Sequence, residues 1–177
     1  MRLFVGLDLP FAVRQRLAGL GGGVPGARWV PAENYHITLR FIGEVAAFQA
    51  EEIDLVLAGL RGRRFELTLA GMGTFAKGGR DTQLWAAVTR CPGLDLLRSK
   101  VEQALQRAGL EAERRRFVPH VTLARLDGAA PAKIASFVQT HNLFRAEALA
   151  VEHFCLFSSR LGKEASVHTA ELEYPLA

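Results

Sequence analysis

The sequence predicts an α+β protein with antiparallel sheets and helices on their outer faces. Three observations predict it. Strand-like and helix-like runs follow one another without regular βα alternation. Strict apolar–polar alternation, as in Phe65-Glu66-Leu67-Thr68-Leu69, describes half-buried strands. Apolar stripes at helical spacing, clearest over 92–109, describe helices packed by one face. With 177 residues, 49% apolar and 23% charged, the chain can bury a core in one compact domain or two packed lobes.

The elements follow in order. Leu3, Phe4, Val5 and Leu7 make a first strand over residues 2–9, stopped by Pro10. It carries Asp8 and no small-residue cleavage site, so it reads as a strand and not a signal peptide. Phe11, Val13, Leu17 and Leu20 give a helix over 11–20, closed by Gly21-Gly22-Gly23. Arg28-Trp29-Val30 is a short extended piece, residues 31–34 a turn, and 35–42 a strand ended by Gly43. Phe48, Ile53, Leu55, Val56 and Leu60 mark the apolar side of a helix over 46–60. Residues 65–69 are a strand, 71–79 a glycine-rich loop or hairpin, and 84–88 a strand. After the helix at 92–109 come strand 119–126, helix 131–140 and strands 149–157 and 167–174.

Composition excludes some classes. No apolar run reaches the roughly 18 residues a membrane helix needs, so no membrane partner is expected. Cys91 and Cys155 form neither a disulfide framework nor a Cys-x-x-Cys pair, which suits a reducing, cytoplasmic setting. The glycine loop lacks the phosphate-loop pattern. The net charge of +4 is modest, but basic residues cluster at Arg61, Arg63 and Arg64 and at Arg114-Arg115-Arg116. Such clusters suit an anionic ligand such as RNA or a nucleotide.

The informative feature is a repetition. His36-Ile37-Thr38-Leu39 and His120-Val121-Thr122-Leu123 read alike, each in a strand. Residues i and i+2 share a strand face, so each motif presents an imidazole beside a hydroxyl while the aliphatic residues turn to a core. Two such pairs facing one another suit displacement at phosphorus. One imidazole takes a proton from the attacking oxygen, the other gives one to the leaving oxygen, and the hydroxyls hold phosphate oxygens. No carboxylate lies in either motif, and His141, His153 and His168 show no ligand spacing, so neither metal nor cofactor is expected. These three histidines read as a helix-end residue and two ordinary strand residues. Arg40 shares the parity of His36 and could bind phosphate; Arg125 has the opposite parity to His120 and needs a bulge to reach the same face.

At these residues the sequence resembles the 2H phosphoesterase superfamily, and within it the RNA 2′,3′-cyclic phosphodiesterases, also called 2′-5′ RNA ligases. The resemblance extends to residues 1–5, 28–31, 36–44, 116–125 and 156–161. It implies one bilobal domain over 1–177, two pseudo-symmetric lobes around a central cleft, each contributing one motif. It implies opening of a terminal 2′,3′-cyclic phosphate to a 2′-phosphate, with His36 as proton donor and His120 as proton acceptor. Thr38, Thr122 and Arg125 would bind the phosphate. The segment around His168 departs from the family, which often has Tyr there. The expected partners are RNA ends or nucleotides bearing the cyclic phosphate, and the expected state a monomer. Ligation of RNA halves in the same cleft and RNA binding without catalysis are the alternatives.

Overall fold

In the computed structural model, which describes residues 1–177, every strand pairing is antiparallel and the strands divide between two sheets. The strands are β1 (Arg2–Asp8), β2 (Ala27–Trp29), β3 (His36–Glu44), β4 (Phe65–Lys77), β5 (Arg80–Val88), β6 (His120–Leu126), β7 (Arg145–Val151), β8 (His153–Leu161) and β9 (Ser166–Pro175). The helices are α1 (Phe11–Ala18), α2 (Ala47–Ala58), α3 (Pro92–Arg107) and α4 (Pro131–His141), with a 3-10 turn at Ala32–Asn34. One sheet runs β3-β1-β8-β9 and the other β2-β6-β5-β4-β7. Each sheet therefore owns one histidine motif, on β3 and on β6, and these two strands touch.

The sheets are not sequence halves. The strand expected over 149–157 is two strands, and the chain passes from β7 in one sheet to β8 in the other at Glu152. Of the expected loop or hairpin at 71–79 the structure forms the hairpin, turning at Gly78-Gly79 between β4 and β5. β4 continues through Gly71 to Lys77, accommodating one extra residue against β5 between Leu69 and Met72, where Gly71 takes φ 84°. Gly73 then lies under the Trp85 indole, where any Cβ would collide with the ring. The smallest residue here leaves the Trp85 ring room to lie over β4.

One continuous core joins the two sheets and includes Ile37 and Leu39 behind the first motif and Val121 and Leu123 behind the second. α3 shows why its sequence is helical: Pro92 starts it, and Leu94, Leu97, Val101, Ala104 and Leu105 all bury on one stripe. α2 buries only Ile53 and Leu57, while Phe48 and Leu55 are exposed, against the apolar face expected from them. Phe11 of α1 is exposed too, leaving Val13 and Leu17 to anchor that helix.

Arg40 and Glu102 link the first motif strand to α3. Arg40 Nε donates to Glu102 at 2.8 Å, and both side chains are nearly enclosed, at 9% and 11% exposure. Glu102 also accepts from Gln106 Nε2 at 3.1 Å and from the Glu113 amide at 2.8 Å. Those donors hold its carboxyl below the usual range despite the opposing effect of burial. Glu102→Ala therefore strands the Arg40 charge and lowers stability by about 3–5 kcal/mol in urea unfolding. Gly73→Ala forces Trp85 aside and costs about 1–3 kcal/mol, read from the same unfolding curves.

Candidate active site

The two motifs are built alike down to the hydrogen bond. His36 Nδ1–H donates to the Asn34 carbonyl at 2.7 Å, and His120 Nδ1–H donates to the Val118 carbonyl at 2.7 Å. In both cases the acceptor lies two residues before the histidine. A carbonyl can only accept, so it fixes the proton on Nδ1 and leaves Nε2 as the reactive nitrogen of the neutral ring. Thr38 Oγ1 lies 2.9 Å from His36 Nε2, so the sequence-predicted imidazole–hydroxyl pair is a direct contact in the first motif. In the second motif Thr122 instead donates to Gln83 at 3.5 Å, a long bond.

The motifs also share a bulge. Gly6 pairs with Thr38 and Val5 with Arg40, which leaves Leu39 without a partner. Trp85 pairs with Thr122 and Leu84 with Ala124, which leaves Leu123 without one. An extra residue reverses the strand's alternation from that point on. In β6 both Leu123 and Ala124 turn inward, at 1% and 0% exposure, and Arg125 returns to the face of His120. The bulge that Arg125 requires is present. In β3 the same reversal turns Arg40 away from the site, onto Glu102 and the carbonyls of Phe41 and Glu111. Arg40 is thus a structural residue and not the phosphate ligand its parity suggested. Phe41, five residues after His36 as Arg125 is after His120, shares a face with Phe4 at 6.1 Å and is 55% exposed.

Aromatic rings wall both histidines. His36 meets Phe4 at 4.7 Å and Phe157 at 5.8 Å. Gly6, opposite Thr38, leaves this wall room, since a Cβ there would lie 2.7 Å from the Ile37 carbonyl oxygen and 3.4 Å from Phe157. His120 meets Phe75 edge-on at 4.8 Å and Trp85 at 5.7 Å.

His168, read from sequence as an ordinary strand residue, belongs to the site. Its ring stands edge-on to His36 at 5.2 Å and to Phe4 at 5.1 Å. Asn34 holds β9 there. Its amide donates to the Ser166 carbonyl at 2.5 Å, and its Oδ1 accepts from the His168 amide at 3.4 Å. Asn34 therefore ties β9 to the first motif strand with its side chain and fixes His36 with its carbonyl. The sequence does not mark Asn34 as functional; its only signal is an Asn in the turn two residues before a motif histidine.

Burial pushes the His36 imidazole down to about 4, opposed by the Asn34 carbonyl and reinforced by positive charge on His168 and His120. Burial also lowers His120, against the pull of the Val118 carbonyl. His168 is lowered by burial and then by the positive charge of Arg125 on the other sheet. Both motif rings are therefore neutral bases in the free protein at pH 7, and an anion bound between them would raise both.

Other aromatic, histidine and arginine side chains lie elsewhere. Trp29 packs on Phe137, and His141 lies against the same ring at the end of α4. Arg61, Arg63 and Arg64 gather near the start of α3, where Lys100 donates to the Arg61 carbonyl and Arg64 to that of Leu176. The residues best able to hold a metal are Asp8, His153, Cys155 and Glu173, whose donor atoms lie within 4.8 Å of one another across β1, β8 and β9. His153 Nε2 is 2.9 Å from Asp8 Oδ1, and burial together with the two carboxylates pushes the Cys155 thiol up to about 12. That grouping comes from strand pairing and has no sequence spacing to announce it.

The depressed His36 makes stability pH-dependent. Its folded pKa lies below 6.5, so the unfolded chain takes up the proton first as pH falls. Its contribution is complete above pH 6.5 and is lost between there and about 4. The size is roughly 3 kcal/mol. In urea unfolding at pH 7 and pH 4, the wild type loses more stability than His36→Gln by about that amount; parallel losses would refute the assignment.

Comparisons with known proteins identify relatives of the chain and of its fold. A curated RNA 2′,3′-cyclic phosphodiesterase of Aeropyrum pernix is 45% identical over 108 residues, 60% of this chain and 61% of that protein. One from Geobacillus stearothermophilus is 33% identical over 135 residues, 72% of this chain and 43% of that one. These alignments thus span about three fifths and two fifths of the relatives' lengths. A third, from Archaeoglobus fulgidus, is 28% identical over 95% of this chain and 96% of its own. The crystal structure of Escherichia coli LigT complexed with 3′-AMP superposes with a TM-score of 0.77 at 25% identity, covering 99% of this chain and 97% of that one. The sequence profile of the 2′-5′ RNA ligase superfamily matches residues 13–163, through both histidine motifs, and the chain belongs to that superfamily.

Proposed function

We propose that the chain is a metal-independent RNA 2′,3′-cyclic phosphodiesterase. The observation that carries this is the pair of imidazoles on touching strands, each with Nδ1–H fixed by its own backbone and Nε2 left for proton transfer. The named activity of the curated relatives supports the same reading. A cyclic phosphate between the rings would accept hydrogen bonds from Thr38 and Thr122 and the charge of Arg125. His120, neutral at pH 7, takes a proton from water as its oxygen bonds to phosphorus. The bond from phosphorus to O3′ breaks, and His36 protonates that oxygen. The product carries a 2′-phosphate and a free 3′-hydroxyl. The two histidines supply both acid and base, so no metal-bound water is needed.

His36 must be protonated to act as acid, yet its free-protein pKa is about 4. The anionic phosphate supplies the compensation, by opposing the burial that lowers the ring. Aromatic walls and low local polarity make this attraction stronger than it would be in water.

A second reading uses the same site. A 5′-hydroxyl replaces water, attacks the same phosphorus and leaves a 2′-5′ linkage, which fits the superfamily's name. Comparing hydrolysis and joining on one cyclic-phosphate RNA separates the two. RNA binding without turnover has less support, since it leaves two prepared Nε2 atoms without a role. We place the activity in a single bilobal unit over residues 1–177, acting as a cytoplasmic monomer. Both motifs come from one chain, both cysteines are free, and no helix is long and apolar enough to cross a membrane.

His36→Ala and His120→Ala each lower cyclic-phosphate opening by about 10²–10⁴-fold with chelator present; full activity in either would sink the reading. The bell of kcat/KM against pH centres below the ordinary imidazole value of 6.5, because it reports the free protein. The kcat bell lies at higher pH, because bound phosphate raises His36. Arg125→Ala lowers kcat/KM by about 10²-fold without loss of stability, whereas Arg40→Ala lowers stability by about 3 kcal/mol or more.

A further inference from the structure

Between α3 and β6 the chain makes a loop whose two ends are fixed and whose middle is tied by the Arg115 amide, which donates to Glu113 at 3.0 Å. On the N-terminal side the Glu113 amide donates to Glu102 at 2.8 Å, and Arg40 of the first motif strand donates to the Glu111 carbonyl. On the C-terminal side Phe117 lies under two guanidinium groups, Arg90 at 5.5 Å and Arg98 at 5.3 Å. Arg90 also donates to the Phe117 carbonyl at 2.9 Å. The next residue, Val118, is the one whose carbonyl orients His120. The loop is therefore clamped to the first catalytic strand at one end and leads into the second at the other.

The arch between the clamps is Arg114, Arg115 and Arg116. All three are exposed, and none forms a salt bridge. Exposed charges of one sign, crowded on adjacent residues, repel one another and contribute nothing to the core. Arg116 stands four residues before His120, so its Cα lies within about 14 Å of the catalytic residue. An RNA strand whose cyclic-phosphate end sits between His36 and His120 must carry its next phosphates out past the rim of the site. Guanidinium groups bind phosphate oxygens bidentately, and a fixed backbone lowers the entropy lost in doing so.

We propose that the Arg114–Arg116 arch binds the phosphates of the RNA strand upstream of its cyclic-phosphate end, so that the protein prefers oligonucleotides to mononucleotides. This rests on the phosphodiesterase reading and names its substrate class. The clamps make the arch a rigid rail rather than a flexible tail. Glu102 and Arg40 act on it as positioning residues, through its backbone.

The test compares a 2′,3′-cyclic-phosphate oligoribonucleotide of about ten nucleotides with 2′,3′-cyclic AMP. The wild type shows the higher kcat/KM on the oligonucleotide. In the variant Arg114→Ser, Arg115→Ser, Arg116→Ser the ratio of the two kcat/KM values falls at least ~10-fold, mainly through KM. The slope of log affinity against log salt for the oligonucleotide shrinks by about 0.7 for each phosphate that the variant no longer neutralises. An unchanged ratio, whether both values fall together or neither does, overturns the proposal, since a loop that merely sets His120 would act on both substrates alike. Should the wild type open neither substrate, the phosphodiesterase reading fails and the arch is read by binding. Fluorescence anisotropy of a labelled oligoribonucleotide with a 3′-hydroxyl then shows salt-sensitive affinity weakened by the triple variant, and equal affinity overturns the arch as an RNA surface.

Discussion

The site depends on one extra residue inserted into each of two strands. Leu39 and Leu123 have no partner on the neighbouring strand, and from those points β3 and β6 present the opposite alternation. Without the bulge, Arg125 would face the core and Arg40 would face the cleft. With it, Arg40 turns inward to Glu102 and Arg125 joins the histidine face. One local irregularity thereby decides which arginine shares the histidine face and which braces the fold. Burying two consecutive residues, Leu123 and Ala124, is what holds the bulge in β6, because restoring the regular alternation would move one of them out to the site.

The two copies of the device are alike in backbone and unlike in surroundings. Each histidine gives its Nδ1 proton to the carbonyl two residues earlier. Around His36 stand Phe4, Phe157 and His168, and its hydroxyl neighbour is in contact with the ring. Around His120 stand Phe75 and Trp85, and its threonine leans toward Gln83. The more enclosed ring, with His168 and His120 both near, is the harder to protonate. A proton placed there is correspondingly ready to leave, which suits a general acid once the phosphate charge is present.

Much of this architecture is legible in the sequence. The alternation in Phe65–Leu69, the stripe of α3 and the histidine motifs each depend on local periodicity, and each appears where expected. The fold departs from expectation where a tertiary contact outweighs the local pattern. Phe48 and Leu55 have the spacing of core residues, but α2 packs through Ile53 and Leu57. Gly71 to Gly79 reads as a loop or hairpin and is a hairpin, but Gly71 and Gly73 carry its strand further than composition suggests, through a bulge and beneath Trp85. Residues 149–157 have the pattern of one strand, but two sheets share them.

Local sequence is enough to set two imidazoles and two hydroxyls by strand parity on common faces, with Ile37, Leu39, Val121 and Leu123 buried behind them. That follows from a period-two backbone, which any strand obeys. Only the tertiary structure decided what stands around them. His168 is far along the chain from His36 and meets it because β9 is drawn in by Asn34. Arg125 bears on His168 because the two sheets meet at β3 and β6. Such contacts are set by strand order and by a bulge, which depend on how distant segments share one core, and no local spacing encodes them.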